Sequence, residues 1–277
     1  MQNIVAMLVA LLLCMGCAPH SRKTPEPQTA KPAVKTAPAK APAKKEVSFT
    51  GASIVVFSPN TQEWFFRNRD RAQKDWLPAS TFKILHTLIA LQSGVVKKDE
   101  VFKWDGTKYR AKSWNKDQTL ESAFKHSVVW VYQIIAKRIG KARMQNYIDL
   151  CAYGNRNIEG KLDSFWLDGG LRITSRQQIE FLRQLQANTL PFSRAHMQFV
   201  KKIMVRNGGR TWLMRAKSGW AQRAKPQYGW LVGWIEKGKD VWFFATNVEI
   251  QTRDDAKKRM DLTLQSLREM AIIPAEK

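Results

Sequence analysis

Cysteine is nearly missing from this chain of 277 residues: of Cys14, Cys17 and Cys151, only the last falls outside the apolar N-terminus. A disulfide within the folded part is therefore excluded, whatever the redox compartment. Cys151 reads as a packed thiol. Histidine is scarce too, and His20, His86, His126 and His196 show no ligand spacing, so no metal is expected. Acidic residues number 23 against 46 basic ones, a net charge of +23. Such a balance usually suggests nucleic acid, but the basic residues are scattered, with no zinc-finger spacing and no aromatic RNA-binding motif. No nucleic-acid partner is expected. The same charge suits anionic cell-wall polymer or lipid head groups, and it also serves solubility.

Long apolar runs are limited to one, Ile4 to Met15, about a dozen residues and too short to span a membrane comfortably. It ends in Gly16-Cys17-Ala18, so residues 1–17 read as a secretion signal, although Met1-Gln2-Asn3 lacks the usual positive charge. Cys17 after Gly16 resembles the lipidated first residue of a bacterial lipoprotein; cleavage near Ala18 and release is the alternative. Residues 18–47 form a Pro/Ala/Lys-rich linker whose Ala18–Glu46 stretch has no large apolar side chain except Val34 and cannot build a core. Semi-extended at about 3 Å per residue, it could hold a domain tens of ångströms off a membrane. The expected localisation is secretion across the inner membrane, then attachment to a membrane in the periplasm through the lipid.

Residues 48–277 carry the folded domain. Ser53-Ile-Val-Val-Phe57 and Glu63-Trp-Phe-Phe66 read as strands of a hairpin turned by Ser58-Pro-Asn-Thr61. Pro78–Ser93 reads as a helix stopped by Gly94, and Ser127–Ile139 as one stopped by Gly140. Helices over Gln177–Ala187 and Arg194–Val205 follow, then strands over Thr211–Lys217, Tyr228–Glu236 and Asp240–Val248, and a last helix near Ala256–Met270. The expected fold class is α+β: an antiparallel five-stranded sheet flanked by helices, with an inserted helical region.

Ser80-Thr-Phe-Lys83 is an S-x-x-K, a weak signal alone because Ser113-Trp-Asn-Lys116 and Ser122-Ala-Phe-Lys125 match as well. Only Ser80 opens a strongly apolar helix, where positions i and i+3 share a face and Lys83 can reach the Ser80 hydroxyl. Apolar neighbours would lower the Lys83 pKa and let it act as a base. A helix start also offers backbone N–H groups to a developing oxyanion. Ser127-Val-Val129 places a second hydroxyl one turn into the next helix, and Lys217-Ser-Gly219 is the only K-[ST]-G, expected ahead of a strand. On the residues alone, Trp166 is a core indole and Arg259 a surface charge. His86, two turns past Ser80, reads as structural rather than as a triad base.

The order S-x-x-K, S-x-V, K-[ST]-G resembles the penicillin-recognising serine enzymes. The finer resemblance is to class D, oxacillinase-type β-lactamases. It is carried by Leu77-Pro-Ala-Ser-Thr-Phe-Lys83, Val101-Phe-Lys-Trp-Asp-Gly106, Tyr132-Gln133, Tyr153-Gly-Asn155, Asp163-Ser-Phe-Trp-Leu-Asp-Gly-Gly170, Lys217-Ser-Gly-Trp220 and Val232-Gly-Trp-Ile-Glu236. It runs from about Ser53 to Pro274. Two departures stand out: Ser218 replaces the usual Thr, and Trp130 follows Ser127-Val-Val129 where relatives carry Pro.

The resemblance implies a serine β-lactamase/D,D-peptidase-like fold and hydrolysis of β-lactams through an acyl-enzyme on Ser80. It implies CO2 bound as a carbamate on Lys83 as the general base, supported by Val129 and Trp166, with no metal. Ser127 and Lys217 would relay a proton, Ser218 and Arg259 would hold the substrate carboxylate, and the N–H groups of Ser80 and Trp220, beside Gly219, would form the oxyanion hole. A dimer is allowed. The rival readings are a peptidoglycan D,D-carboxypeptidase or transpeptidase and a penicillin sensor that acylates and stalls.

Overall fold

In the computed structural model the described residues are 50–275. The expected signal segment 1–17 with Cys17 and the whole linker 18–47 lie outside them.

Ala52–Ser58 (β1) and Glu63–Arg67 (β2) form the expected hairpin, with Phe57 opposite Trp64. Their rings meet at 4.5 Å. Arg69–Gln73 (α1) leads to a 3₁₀ turn, Ala79–Phe82, that runs directly into Lys83–Gln92 (α2). Every residue of α2 from Lys83 to Leu91 is buried, as an all-round apolar helix requires. A small ladder pairs Val101–Phe102 (β3) with Gln118–Thr119 (β4). Helices follow over Leu120–Lys125 (α3), Val129–Ile139 (α4), Lys141–Leu150 (α5), Phe165–Asp168 (α6), Ser175–Ala187 (α7) and Arg194–Ile203 (α8). The chain then returns to strands at Val205–Gly208 (β5), Leu213–Ala221 (β6), Tyr228–Lys237 (β7) and Asp240–Glu249 (β8), and ends in Asp255–Glu269 (α9).

The main sheet has the order β2-β1-β8-β7-β6-β5 and is antiparallel throughout. Both faces are covered, which explains why β1 reads as an unbroken apolar run rather than an alternation. Val55 and Phe57 face the large core with the helical region, while Ile54 and Val56 face a second core under α9 with Leu267, Ile272 and Ile273.

Among the described residues the sheet has six strands rather than five. The extra one, β5, is exposed along its length and takes residues just beyond the helix, which ends at Ile203 rather than Val205. Two motif placements also change. Ser127 precedes α4 in a left-handed backbone turn (φ 55°), and Lys217-Ser-Gly219 lies inside β6, not ahead of a strand.

Candidate active site

The nucleophile turn is clamped from the sheet. Leu77 donates its N–H to the Tyr228 hydroxyl at 2.7 Å, and the Trp230 indole donates to the Leu77 carbonyl at 3.0 Å; both partners stand on β7. Ala79 takes a positive φ of 48°, costly for a residue with a Cβ. Around it, the Thr81 hydroxyl donates to the Pro78 carbonyl at 2.7 Å and accepts from Gln178 at 2.8 Å. Strand β6 presses against the same turn at Gly219, where a Cβ would stand 3.1 Å from the Pro78 oxygen and 3.2 Å from Ser80 N. Ser80 thus keeps a small opening to the cleft, 8% exposed, while its Oγ accepts from Lys83 Nζ at 3.0 Å.

Lys83 is fully buried, and among the described residues no carboxylate offsets that burial. The Tyr132 ring lies 4.8 Å from its Nζ, and the Tyr132 hydroxyl is tied to Thr87 at 2.7 Å. Burial alone brings the Lys83 amine down to about 7. Trp166 is also fully buried, stacked on Phe82 at 5.8 Å and edge-on to His86 at 5.1 Å. Its indole Nε1 and both His86 nitrogens have no hydrogen-bond partner among the described residues. An orphan donor in so dry a place marks a position for an acceptor the chain itself does not supply. That donor chemistry fits an anionic carbamate oxygen on Lys83. His86 stays neutral there, held well below its ordinary pKa by burial and by the charge of Lys83.

On the opposite wall Lys217 Nζ donates to Ser127 Oγ at 2.5 Å and to the Ser218 carbonyl at 3.0 Å. Desolvation, then the charges of Lys83, Arg206 and Arg259, hold Lys217 well below the ordinary lysine value. It is therefore a ready proton acceptor as well as a donor. Arg259 reaches across β7 from α9, donating to the Gly219 carbonyl at 2.6 Å. Gly229 makes the crossing feasible, since a Cβ there would fall 2.5 Å from Arg259 Cδ. Burial lowers that guanidinium to about 10.

A cleft of about 520 Å³ brings together Ser80, Ser127, Val129, Ser218, Gly219, Trp220 and Arg259. Lys83, Lys217 and Trp166 do not line it; they are buried behind it. Trp130 does line it, and its indole donates to the Trp114 carbonyl at 3.1 Å, tying two cleft tryptophans together. Tyr109, Trp114, His126, Leu167 and Arg206 also face the cleft and are missed by the sequence reading. For Trp114 a signal existed, a large aromatic inside the discarded Ser113-Trp-Asn-Lys116 match. Ser122 of the other discarded match closes a capping box with Thr119.

Attack by one hydroxyl, proton delivery by another and an anion grip at the mouth together describe acyl transfer. The chain is thus an active-serine acyl-transfer enzyme. Residues 40–266 match the penicillin binding protein transpeptidase domain. The chain is 45% identical over 222 residues to Beta-lactamase OXA-48 of Klebsiella pneumoniae, covering 80% of this chain and 84% of that protein. It is 41% identical over 209 residues to Beta-lactamase OXA-20 of Pseudomonas aeruginosa, covering 75% and 77%. Among solved structures it resembles the class D β-lactamase YbXI from Nostoc, with TM-score 0.77, 40% identity, and 79% and 93% of the two chains covered. FUS-1 (OXA-85) from Fusobacterium nucleatum subsp. polymorphum gives TM-score 0.78 at 34% identity, covering 80% and 93%. The chain belongs to the class D serine β-lactamases, hydrolases of the β-lactam amide.

Proposed function

We propose that this enzyme opens β-lactams through an ester on Ser80, and that Lys83 works as its CO2 adduct. The observation that carries the reading is the dry pocket in which Lys83, its amine brought down to about 7 by burial, meets Ser80 Oγ at 3.0 Å while the Trp166 indole stays unpaired. Bound on Lys83 Nζ and held by Trp166 Nε1, the carbamate would supply an anionic base in that pocket.

Ser80 Oγ gives up its proton on the Lys83 side as it attacks the lactam carbonyl. The oxyanion that forms is held by the N–H groups of Ser80 and Trp220. Ser127, already bonded to Lys217 at 2.5 Å, hands its proton to the departing lactam nitrogen, and Lys217 restores it. Ser218 and Arg259 hold the ring carboxylate at the mouth. The proton held on the Lys83 side then returns through Ser127 to Lys217, and a water attacks the ester from the cleft, losing its proton on the Lys83 side, which passes it to Ser80 Oγ as the ester opens; that second step separates a hydrolase from a protein that acylates and stalls.

The test is turnover of benzylpenicillin by the full chain, with and without bicarbonate, followed by mass spectrometry. Turnover abolished by Ser80→Ala, with no lasting adduct once substrate is spent, is expected. A stoichiometric, hours-stable adduct without turnover would refute hydrolysis, and rates indifferent to bicarbonate in degassed buffer would refute the CO2 adduct. The Gly16-Cys17 junction and the linker behind it support anchoring of the enzyme in the periplasm by a lipid on Cys17. Fractionation of wild type against Cys17→Ser decides this, and recovery of both as soluble protein would end the idea.

A further inference from the structure

Arg206 belongs to no motif, yet the fold aims it at the cleft. Strand β5 pairs Val205 with Arg215 and Asn207 with Met214, two steps on β5 for one on β6. Arg206 is the extra residue of that bulge, a device that redirects a side chain beside a site. It lines the cleft together with Ser127, Ser218 and Arg259.

Among the described residues no Asp or Glu lines this cleft, and every charged side chain on its wall is a cation. Arg223 is compensated by an ion pair with Asp168. Nearby Arg215 is compensated too, by Glu236. Arg206 has neither an ion pair nor a hydrogen bond among the described residues, and its charge raises the cost of the charges on Lys217 and Arg259. Desolvation lowers its own pKa although it keeps exposed surface at the rim. A chain that needed only one anion grip has no electrostatic reason to bring a second, uncompensated arginine to the same wall.

We infer that Arg206 is a specificity-determining residue that favours β-lactams carrying a second anionic group beside the ring carboxylate. The inference rests on the proposed docking of the ring carboxylate at Ser218 and Arg259. With that anion in place, the Arg206 guanidinium remains unmatched. A carboxylate or sulfonate on the adjoining ring substituent completes the pairing through a charge-assisted hydrogen bond at the cleft rim.

Two cephalosporins differing only at the C3 substituent, one ending in a carboxamide and one in a carboxylate, provide the probe. Their dissociation constants are measured on full-length Ser80→Ala, so that no turnover is needed. The dianion should bind roughly three- to five-fold tighter. Adding Arg206→Gln should bring the ratio to near one, Arg206→Lys should recover part of it, and Arg206→Glu should invert it. A dianion bound no tighter than the monoanion, or a preference that survives Arg206→Gln, overturns the inference. Failure of the hydrolase reading is separate: it appears as wild type that forms no transient Ser80 adduct, whatever the two dissociation constants are.

Discussion

Replacing Lys83 by Met should destroy activity and make the protein more stable. The lysine ionises near 10.5 in the unfolded chain and at about 7 in the fold, with burial as the only cause. Each pKa step of one is worth 1.36 kcal/mol, so holding this lysine buried costs roughly 4 kcal/mol at pH 7. Between pH 7 and 10.5 the unfolded chain binds a proton here that the folded chain does not. Raising the pH across that window therefore removes the penalty, and below pH 7 it is felt in full. Methionine fills the space without ionising, but it forfeits the Lys83–Ser80 hydrogen bond, worth about 1 kcal/mol. The net expectation is a variant more stable by about 3 kcal/mol at pH 7, with the gap shrinking below about 1 kcal/mol by pH 9.5. Urea unfolding followed by tryptophan fluorescence in CO2-free buffer at pH 7, 8.5 and 9.5 measures this directly. A variant no more stable than wild type at pH 7, or a gap that ignores pH, would refute the account of Lys83 as a buried, neutral amine.

Trp166→Phe keeps the stack on Phe82 and removes the unpaired Nε1, so the melting temperature should hold or rise slightly while turnover comes to depend more steeply on added bicarbonate. Equal bicarbonate dependence in the two proteins would remove Trp166 from the pocket's chemistry. Gly219→Ala puts a Cβ 3.2 Å from Ser80 N and should slow acylation roughly ten-fold through misplacement of the nucleophile, with folding intact by circular dichroism. An unchanged acylation rate would mean that the turn yields freely.

The parts of the site legible in the sequence are those whose chemistry needs a fixed spacing on one element. Ser80 and Lys83 are such a pair, and the apolar run behind them separates this S-x-x-K from its two look-alikes. Ser127 misled because helix propensity continues through it; only the left-handed turn shows that it ends the preceding segment rather than joins α4. The K-S-G reads as lying at a strand edge, whereas the missing side chain of Gly219 lets β6 run on against the nucleophile turn. Strand β5, with Val-Arg-Asn-Gly, offers no apolar alternation, and its pairing is imposed by β6. Trp166 and Arg259 were indicated by the family resemblance, not by their own surroundings in the chain. Arg206 had no signal, since a bulge is a property of register between two strands.

The clamp on Leu77 decides which wall of the cleft is able to breathe. Both backbone polar groups of Leu77 are held by buried side chains of β7, an inner strand of the sheet, so its amide can exchange with solvent only after the Tyr228 ring is displaced. The nucleophile inherits the slow end of the molecule's spectrum of motion. The facing wall is held by indoles rather than by the sheet. There Trp114 rests on a three-residue 3₁₀ turn and is fastened by two indole hydrogen bonds, its own to the His126 carbonyl and that of Trp130 to its backbone.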